Sequence, residues 1–335
     1  MEYRKLGASG LNVSPICLGA MMFGDRTAAA EAGRIVRAAF DAGINFIDTA
    51  DVYARGESER IVGRLVKRER SRWVLATKVG GRMYDDPNSV GLSRKWIMRA
   101  LDESLGRLGT DYVDLYYFHR DDYETPLQES VGAIGTLIAQ GKIRYFGLSN
   151  YQGWRIAEVV ALCRSMGVPQ PVALQPYYNA MKRQPEVEMF PACRHFGLGV
   201  VPYSPLARGV LTGKYLPDAK PAPGTRAGRS DRRLLETEFR PESLRLAQKL
   251  KTHAEKRGMT AGQFALRWVL NSTTVTSVLA GPRTLAQWRE YLGALEHGFD
   301  ATDEALVDRL VAPGHASTPS YTDPKFPVTG RAPQR

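Results

Sequence analysis

Eight short apolar runs, near residues 15–19, 45–48, 73–78, 113–118, 143–148, 172–176, 198–203 and 275–280, alternate with stretches of helical periodicity. No other feature constrains the fold as tightly. Such runs suit strands buried on both faces, and the helices between them must cover the sheet those strands form. The helices carry legible ends. Ser93 stands as a cap before the stripe Ile97, Leu101, Leu105 and Leu108, and Gly109 ends it. Thr125-Pro126-Leu127-Gln128 reads as a capping box with Pro at the first helical position. That helix has Val131, Ile134, Leu137 and Ile138 as its core stripe and Gly141 at its end. Thr260-Ala261-Gly262-Gln263 opens another, with Phe264, Trp268 and Val269 inward.

Eight strand–helix units imply an α/β protein with a parallel sheet, and the simplest closure is a single-domain (β/α)8 TIM barrel. The alternative, an open doubly wound sheet, usually carries G-x-G-x-x-G after its first strand when it binds a dinucleotide, and no such string occurs. Residues 1–335 read as one domain, with a barrel core over about 15–311 and an irregular C-terminal tail over 312–335 packed across the barrel. Tyr3 to Val13 reads as an N-terminal hairpin turning at Gly10 and capping the barrel bottom. Gly213 to Asp231 is a long Pro-, Gly- and base-rich loop after the seventh strand, followed by a helix from about Pro241 to Arg257.

Polar residues stand where apolar runs stop. Asp48 closes Ile44-Asn45-Phe46-Ile47, with Tyr53 in the loop beyond; Lys78 closes Trp73 to Thr77; His119 closes Val113 to Phe118. On a barrel these would share the C-terminal face. Singly, each has an ordinary use: tyrosine as an amphipathic rim, lysine snorkelling, Asp-Thr as a turn. Together they can form a proton donor. A phenol titrates near pH 10, an adjacent ammonium favours its phenolate, and a carboxylate makes a buried ammonium tolerable. An imidazole can orient a carbonyl oxygen. His119, Asp121 and Asp122 are too close in sequence to converge on a metal.

A net charge of +11 favours an anionic partner, but the basic residues are dispersed except at Arg64 to Arg72 and Lys214 to Arg233. No nucleic-acid module is present, and a phosphate-bearing small molecule is the better match for the second cluster. No run approaches the roughly 18 apolar residues of a membrane span. Cys17, Cys163 and Cys193 show neither disulfide nor metal spacing. A cytoplasmic protein is expected. Gly209-Val210-Leu211-Thr212-Gly213-Lys214 is one residue short of a P-loop and leads into Tyr215, so ATP binding is rejected.

Several strings resemble the aldo-keto reductase family. They are Gly43-Ile44-Asn45-Phe46-Ile47-Asp48-Thr49-Ala50 with Tyr53, Gly56-Glu57-Ser58-Glu59, Lys78, and Asp114-Leu115-Tyr116 through His119. Gly141 to Asn150, Gln175-Pro176-Tyr177-Tyr178-Asn179 and Tyr203-Ser204-Pro205-Leu206 complete the series, which runs in order from Tyr3 to about Leu295. The loop after the seventh strand is most similar to the bacterial and potassium-channel β-subunit branch.

The resemblance implies reversible reduction of an aldehyde or ketone by NADPH, NADH being possible, with Tyr53 as general acid, Lys78 and Asp48 as its tuners and His119 orienting the carbonyl. It implies Gly19 and Met21 at the first strand's mouth, and Ser149, Asn150 and Gln175 on the carboxamide. Tyr203 would stack on the nicotinamide. Ser204, Leu206, Arg208, Gly209 and Lys214 would follow the pyrophosphate under Arg226, and Gly281, Arg283, Gln287 and Glu290 would take the adenosine end. Gln287 also lies three residues after Thr284, as in a capping box.

The chain departs from the family where Tyr291 follows Glu290 in place of Asn, and where Ala20-Met21-Met22 replaces an aromatic. Arg283 favours NADPH over NADH. The substrate would be a small carbonyl compound chosen by loops around Met22, Tyr84, Asp121 to Tyr123, Trp154 and the tail. The competing reading is a cofactor-sensing binding subunit with little turnover; on either reading the protein is expected as a monomer or a homo-oligomer.

Overall fold

The computed structural model describes residues 1–326. An antiparallel hairpin of β1 (Arg4–Lys5) and β2 (Asn12–Val13) precedes eight parallel strands among the described residues. These are β3 (Ile16–Gly19), β4 (Phe46–Asp48), β5 (Val74–Val79), β6 (Val113–Phe118), β7 (Ile143–Ser149), β8 (Ala173–Gln175), β9 (Gly199–Val200) and β10 (Val278–Ala280). They pair in chain order, with β10 beside β3. Parallel bridges Val200↔Val275 and Tyr203↔Leu279 join the remaining edge to β10 and close the barrel. The expected (β/α)8 barrel is the observed fold.

Each of the first six barrel strands is followed by one helix: α1 (Ala29–Asp41), α2 (Glu57–Val66), α3 (Arg94–Leu108), α4 (Leu127–Ala139), α5 (Gly153–Met166) and α6 (Met189–Phe196). After β9 come α7 (Arg232–Thr237), α8 (Pro241–Lys256) and α9 (Ala261–Asn271); after β10 come α10 (Leu285–Gly293) and α11 (Ala301–Leu310). The core has two parts. One lies between strands and helices, where Ile97, Leu101, Val131, Ile134, Phe264 and Trp268 are buried as their spacing required. The other fills the barrel: Cys17, Phe46, Ala76, Leu115, Tyr117 and Val201 meet Leu6 and Val13 of the hairpin, which plugs the bottom. Gly7 makes that plug possible, since its φ is +59° and an added Cβ would lie 2.4 Å from the Gly197 oxygen.

Several helix ends behave as expected. Ser93 accepts from the Trp96 N–H at 3.2 Å, Gly109 sits left-handed at φ +63°, and Thr260 and Gln263 form a complete capping box. The Thr125 box does not form. The Thr125 hydroxyl donates to Asp122 Oδ2 at 2.8 Å, α4 begins at Leu127, and Pro126 flanks it. Thr125 is thus one residue outside the helix, at the position before the cap, where its oxygen meets no first-turn N–H. Ile138, at the edge of the α4 stripe, is only partly buried. The short helix α7 directly after the long loop was not expected. Residues 327–335 of the irregular tail lie outside the described residues, while 312–326 lie across α7 and the barrel top: the Tyr321 hydroxyl donates to the Glu236 carbonyl, and Arg240 stacks 3.7 Å over the Tyr321 ring.

Gly63 on α2 sets the closest approach to α3, for its hypothetical Cβ falls 2.1 Å from the Leu108 carbonyl oxygen. Backbone cannot give way as a flexible side chain can. Gly63→Ala is therefore expected to destabilise the fold by about 1–3 kcal/mol, read as a lowered urea midpoint; an unchanged midpoint would refute the close-contact account.

Candidate active site

Parallel register aligns the strand ends at one mouth. Gly19 pairs with Asp48, Lys78 with Tyr117, and Ser149 with Gln175. His119 follows β6 by one residue, its N–H donating to the Val79 carbonyl at 2.8 Å. Tyr53 opens a short helical turn in which Ala54 (φ +47°) and Arg55 (φ +52°) are left-handed. Such strain in non-glycine residues clusters at functional sites. Here it turns the chain sharply, so that Tyr53 lies over the strand ends while α2 starts at Glu57.

The four residues meet at the floor of a cleft of about 560 Å³. Lys78 Nζ is fully buried beneath it, ion-paired with Asp48, and donates to the Thr49 carbonyl at 2.8 Å and to the Tyr53 hydroxyl at 3.3 Å. Gln175 Nε2 donates to the second Asp48 oxygen at 3.0 Å. Tyr53 and His119 stand edge to face, centroids 5.6 Å apart. Burial acts to lower the Lys78 ammonium, but Asp48 and then Tyr53 outweigh it, and the group is held above its ordinary value, charged at neutral pH. Burial raises the Asp48 carboxyl against the opposing pull of Lys78.

Tyr53 departs from the sequence expectation. Burial pushes its phenol above the ordinary value, and Lys78 pulls it down without reversing the shift. His119 is pushed well below its usual range by burial, then by Lys78, Lys325 and Arg120. The phenol is therefore protonated and the imidazole neutral at pH 7. A proton donor of this kind is present below the Tyr53 pKa and lost only as pH rises through it, above 10. A neutral imidazole is present above the His119 pKa and lost only as pH falls through it, below 6.5. The pH profile of kcat/KM for any reaction using both should have no inflection near 6.5; a loss of activity centred there would contradict a neutral His119.

A second layer explains the Gly56-Glu57-Ser58-Glu59 string. Buried Glu59 accepts from Thr77 at 2.6 Å and from Arg107 of α3 at 2.6 Å, and the Ser58 hydroxyl donates to the Ala20 carbonyl at 2.8 Å. Asp51, beside them, is pushed up to about 8 by burial and by Glu59. These contacts fix the helix that follows Tyr53. Asp121 and Asp122 do not join His119: Asp121 pairs with Arg155 at 3.0 Å, and Asp122 accepts from the Leu92 N–H at 2.7 Å.

Of the other singled-out residues, Gly19, Met21, Ser149, Asn150, Gln175, Tyr203, Ser204, Leu206, Arg208 and Gly209 line the cleft. So do Lys214, Arg226, Gly281, Arg283 and Gln287. The amide group is tightly knit. Asn150 donates to the His119 carbonyl at 3.0 Å and accepts from the Tyr203 hydroxyl at 2.8 Å, while the Ser149 hydroxyl donates to the Gln175 carbonyl at 2.9 Å. Tyr203 stacks on Tyr177 at 5.4 Å. Ser204, Ala207 and Arg208 are left-handed, a second strained turn.

Glu290 is placed otherwise. It accepts from Thr260 at 2.6 Å and does not line the cleft, which Tyr291 reaches instead. Thr284 caps α10, but the Gln287 side chain accepts from the Arg283 N–H at 2.8 Å, so no capping box closes. Missed altogether as site residues were Arg120, Arg233, Lys325 and Phe326, which also line the cleft. Arg233 was visible as the end of the basic run and Arg120 as the neighbour of His119; nothing in the aperiodic tail marked Lys325 or Phe326.

The donor set suits a phosphorylated dinucleotide. Lys214, Arg226 and Arg283 gather with no ion-pairing carboxylate among the described residues, and a Cβ on Gly209 would come within 3.0 Å of Lys214 Nζ, so the loop can cradle an anion closely. No helix among the described residues is long and apolar enough to cross a membrane.

Comparison with known proteins agrees with this geometry. The sequence pattern of the Aldo/keto reductase family matches residues 15–312. A probable voltage-gated potassium channel subunit beta of Oryza sativa subsp. japonica is 38% identical over 319 residues, covering 93% of this chain and 96% of that protein. The uncharacterized oxidoreductase YrpG of Bacillus subtilis (strain 168) is 38% identical over 334 residues, covering 96% and 99%. The L-glyceraldehyde 3-phosphate reductase of Escherichia coli (strain K12) is 35% identical over 328 residues, covering 94% and 93%. With a family match across nearly the whole barrel, relatives aligned end to end and the strand-end residues gathered in one cleft, this chain belongs to the aldo/keto reductase family.

Proposed function

We propose that the protein is an NADPH-dependent oxidoreductase that reduces an aldehyde or ketone to an alcohol, with Tyr53 as the general acid. The observation that carries this reading is the buried Lys78 ammonium, held between the Asp48 carboxylate and the Tyr53 hydroxyl at the floor of the cleft. NADPH would supply the hydride, leaving as NADP+, with Lys214, Arg226 and Arg283 on its phosphates, Ser149, Asn150 and Gln175 on its carboxamide and Tyr203 against its ring. The carbonyl carbon takes up that hydride and the oxygen takes up one proton.

Tyr53 delivers the proton at the carbonyl oxygen. Its raised pKa suits this direction, since the phenol is fully protonated at pH 7 and a forming alkoxide is far more basic than a phenolate. Lys78 then stabilises the phenolate by charge and hydrogen bond. His119, neutral, donates its ring N–H to the same oxygen and fixes its position. Asp48 keeps Lys78 charged and in place. In the reverse direction Tyr53 must first lose its proton, so alcohol oxidation should accelerate as pH rises.

Arg283 underlies the choice of cofactor. The 2′-phosphate of NADPH would meet a guanidinium free of carboxylate partners among the described residues. Arg283→Gln should raise the KM for NADPH by about tenfold or more, with a smaller change for NADH, since one charge-assisted bond is worth about 1.5–3 kcal/mol. Equal changes for both would contradict it. The three buried thiols suit the reducing cytoplasm. Because relatives bear both channel-subunit and reductase names, turnover is the deciding test. A panel of aldehydes and ketones followed at the reduced-nicotinamide absorbance should show steady NADPH consumption; tight NADPH binding without turnover on any member would favour the binding-subunit reading.

A further inference from the structure

The cations of the cleft fall into two groups. Lys214, Arg226 and Arg283 share one end, where each of the first two feels the charge of Arg283. Arg120, Arg233 and Lys325 share the other: His119 feels Lys325 and Arg120, and Lys325 feels Arg233 and Arg120. Arg208 lies between, within the field of Arg233. The first group with Arg208 matches the pyrophosphate and 2′-phosphate that the proposed cofactor would bring.

The second group has no such use. Within it, Arg233 is neutralised by Asp323 of the tail through bonds of 3.1 and 2.8 Å. Arg120 donates only to the Gly80 carbonyl, at 3.2 Å, and forms no ion pair among the described residues. Lys325 likewise has no carboxylate in ion-pair range among them, although its backbone N–H donates to Asp323 at 2.9 Å and so fixes its place at the wall. Asp48 is the one carboxylate among the cleft-lining residues described, and it is taken by Lys78. Two like charges thus face the cleft beside the residue that orients the carbonyl, one from the β6 end and one from the tail. Such repulsion is relieved by an anion bound between them.

We propose that Arg120 and Lys325 form an anion subsite on the substrate arm of the cleft, so that the preferred substrate is a carbonyl compound that itself carries a carboxylate or phosphate. This rests on the carbonyl-reduction reading above. Arg233 and Asp323 act as a clasp that positions the tail, and with it Lys325.

The test uses the 335-residue chain with NADPH and two matched pairs of aldehydes: glycolaldehyde phosphate against glycolaldehyde, and 4-oxobutanoate against butanal. The quantity read is the ratio of kcat/KM, charged over neutral, for each pair. At least one ratio should exceed about ten, the value of one charge-assisted bond, and the larger ratio shows whether phosphate or carboxylate is taken. Lys325→Gln and Arg120→Gln should each remove most of that ratio, mainly by raising KM for the charged member, and added KCl should do the same. Ratios near one for both pairs, or ratios untouched by both substitutions, overturn the subsite. Failure of all four aldehydes to consume NADPH overturns the reduction reading and the subsite with it.

Discussion

Tyr53→Phe is expected to lower kcat for aldehyde reduction by about 10²–10⁴-fold while NADPH binding persists. The substitution removes one oxygen. The ring keeps its edge-to-face contact with His119, and Lys78 keeps Asp48 and the Thr49 carbonyl when its bond to the tyrosine hydroxyl is lost. Folding stability should therefore move by only about 1 kcal/mol. A nearly inactive enzyme with unchanged cofactor titration and a urea midpoint shifted by no more than that amount isolates the loss to proton delivery. Near-normal turnover would sink the acid role, because among the described residues no other side chain at the floor offers a hydroxyl in contact with Lys78.

Lys78→Met should be as damaging to activity and far worse for the fold. Lys78 and Asp48 are 0% and 1% exposed, so methionine leaves a buried carboxylate whose one remaining side-chain donor among the described residues is Gln175. Breaking a buried pair on one side costs about 3–5 kcal/mol. The deficit has a pH signature. Losing Lys78 removes the main opposition to the burial that already raises Asp48, so the folded state binds a proton more readily than the unfolded chain does. The destabilisation is full while Asp48 is ionised in the folded state and shrinks as pH falls through its raised pKa. In the double variant Lys78→Met/Asp48→Asn most of the stability should return while activity does not. Urea unfolding at several pH values measures all of this; a single-variant loss below about 1 kcal/mol at pH 7, or no recovery in the double variant, would contradict the ion-pair account.

Much of this was legible in the chain because local signals and fold agree. Apolar runs ending in Asp48, Lys78 and His119 predict strand ends on one face, and parallel register delivers them there. The helix caps at Ser93 and Thr260 formed where the sequence placed them, Thr260 accepting from the Gln263 N–H while its own proton goes to Glu290. At Thr125 the helix starts one residue late, with Pro126 at the cap position and the Thr125 hydroxyl turned to Asp122, so the box was lost. The phenol of Tyr53 shows a different limit. A neighbouring ammonium can be read from residue types, but burial cannot, and here burial decides the direction of the shift. The tail shows a third. Asp323 acts through its bonds to Arg233, 90 residues earlier in the chain, which no local periodicity encodes, and Lys325 is placed through Asp323. Glu290 fell outside the cleft because Thr260, on another helix, engages its carboxylate.

The most direct test of the central claim follows an isotope. The protein, an accepted aldehyde and NADPH deuterated at one prochiral C4 position are combined, and the alcohol is examined by mass spectrometry. One of the two C4 epimers should deliver a single deuterium to the carbinol carbon and the other none, because Tyr203, stacked on Tyr177 at the cleft wall, would cover one face of the nicotinamide ring. Alcohol formed without label from either epimer, or with equal label from both, would contradict the account.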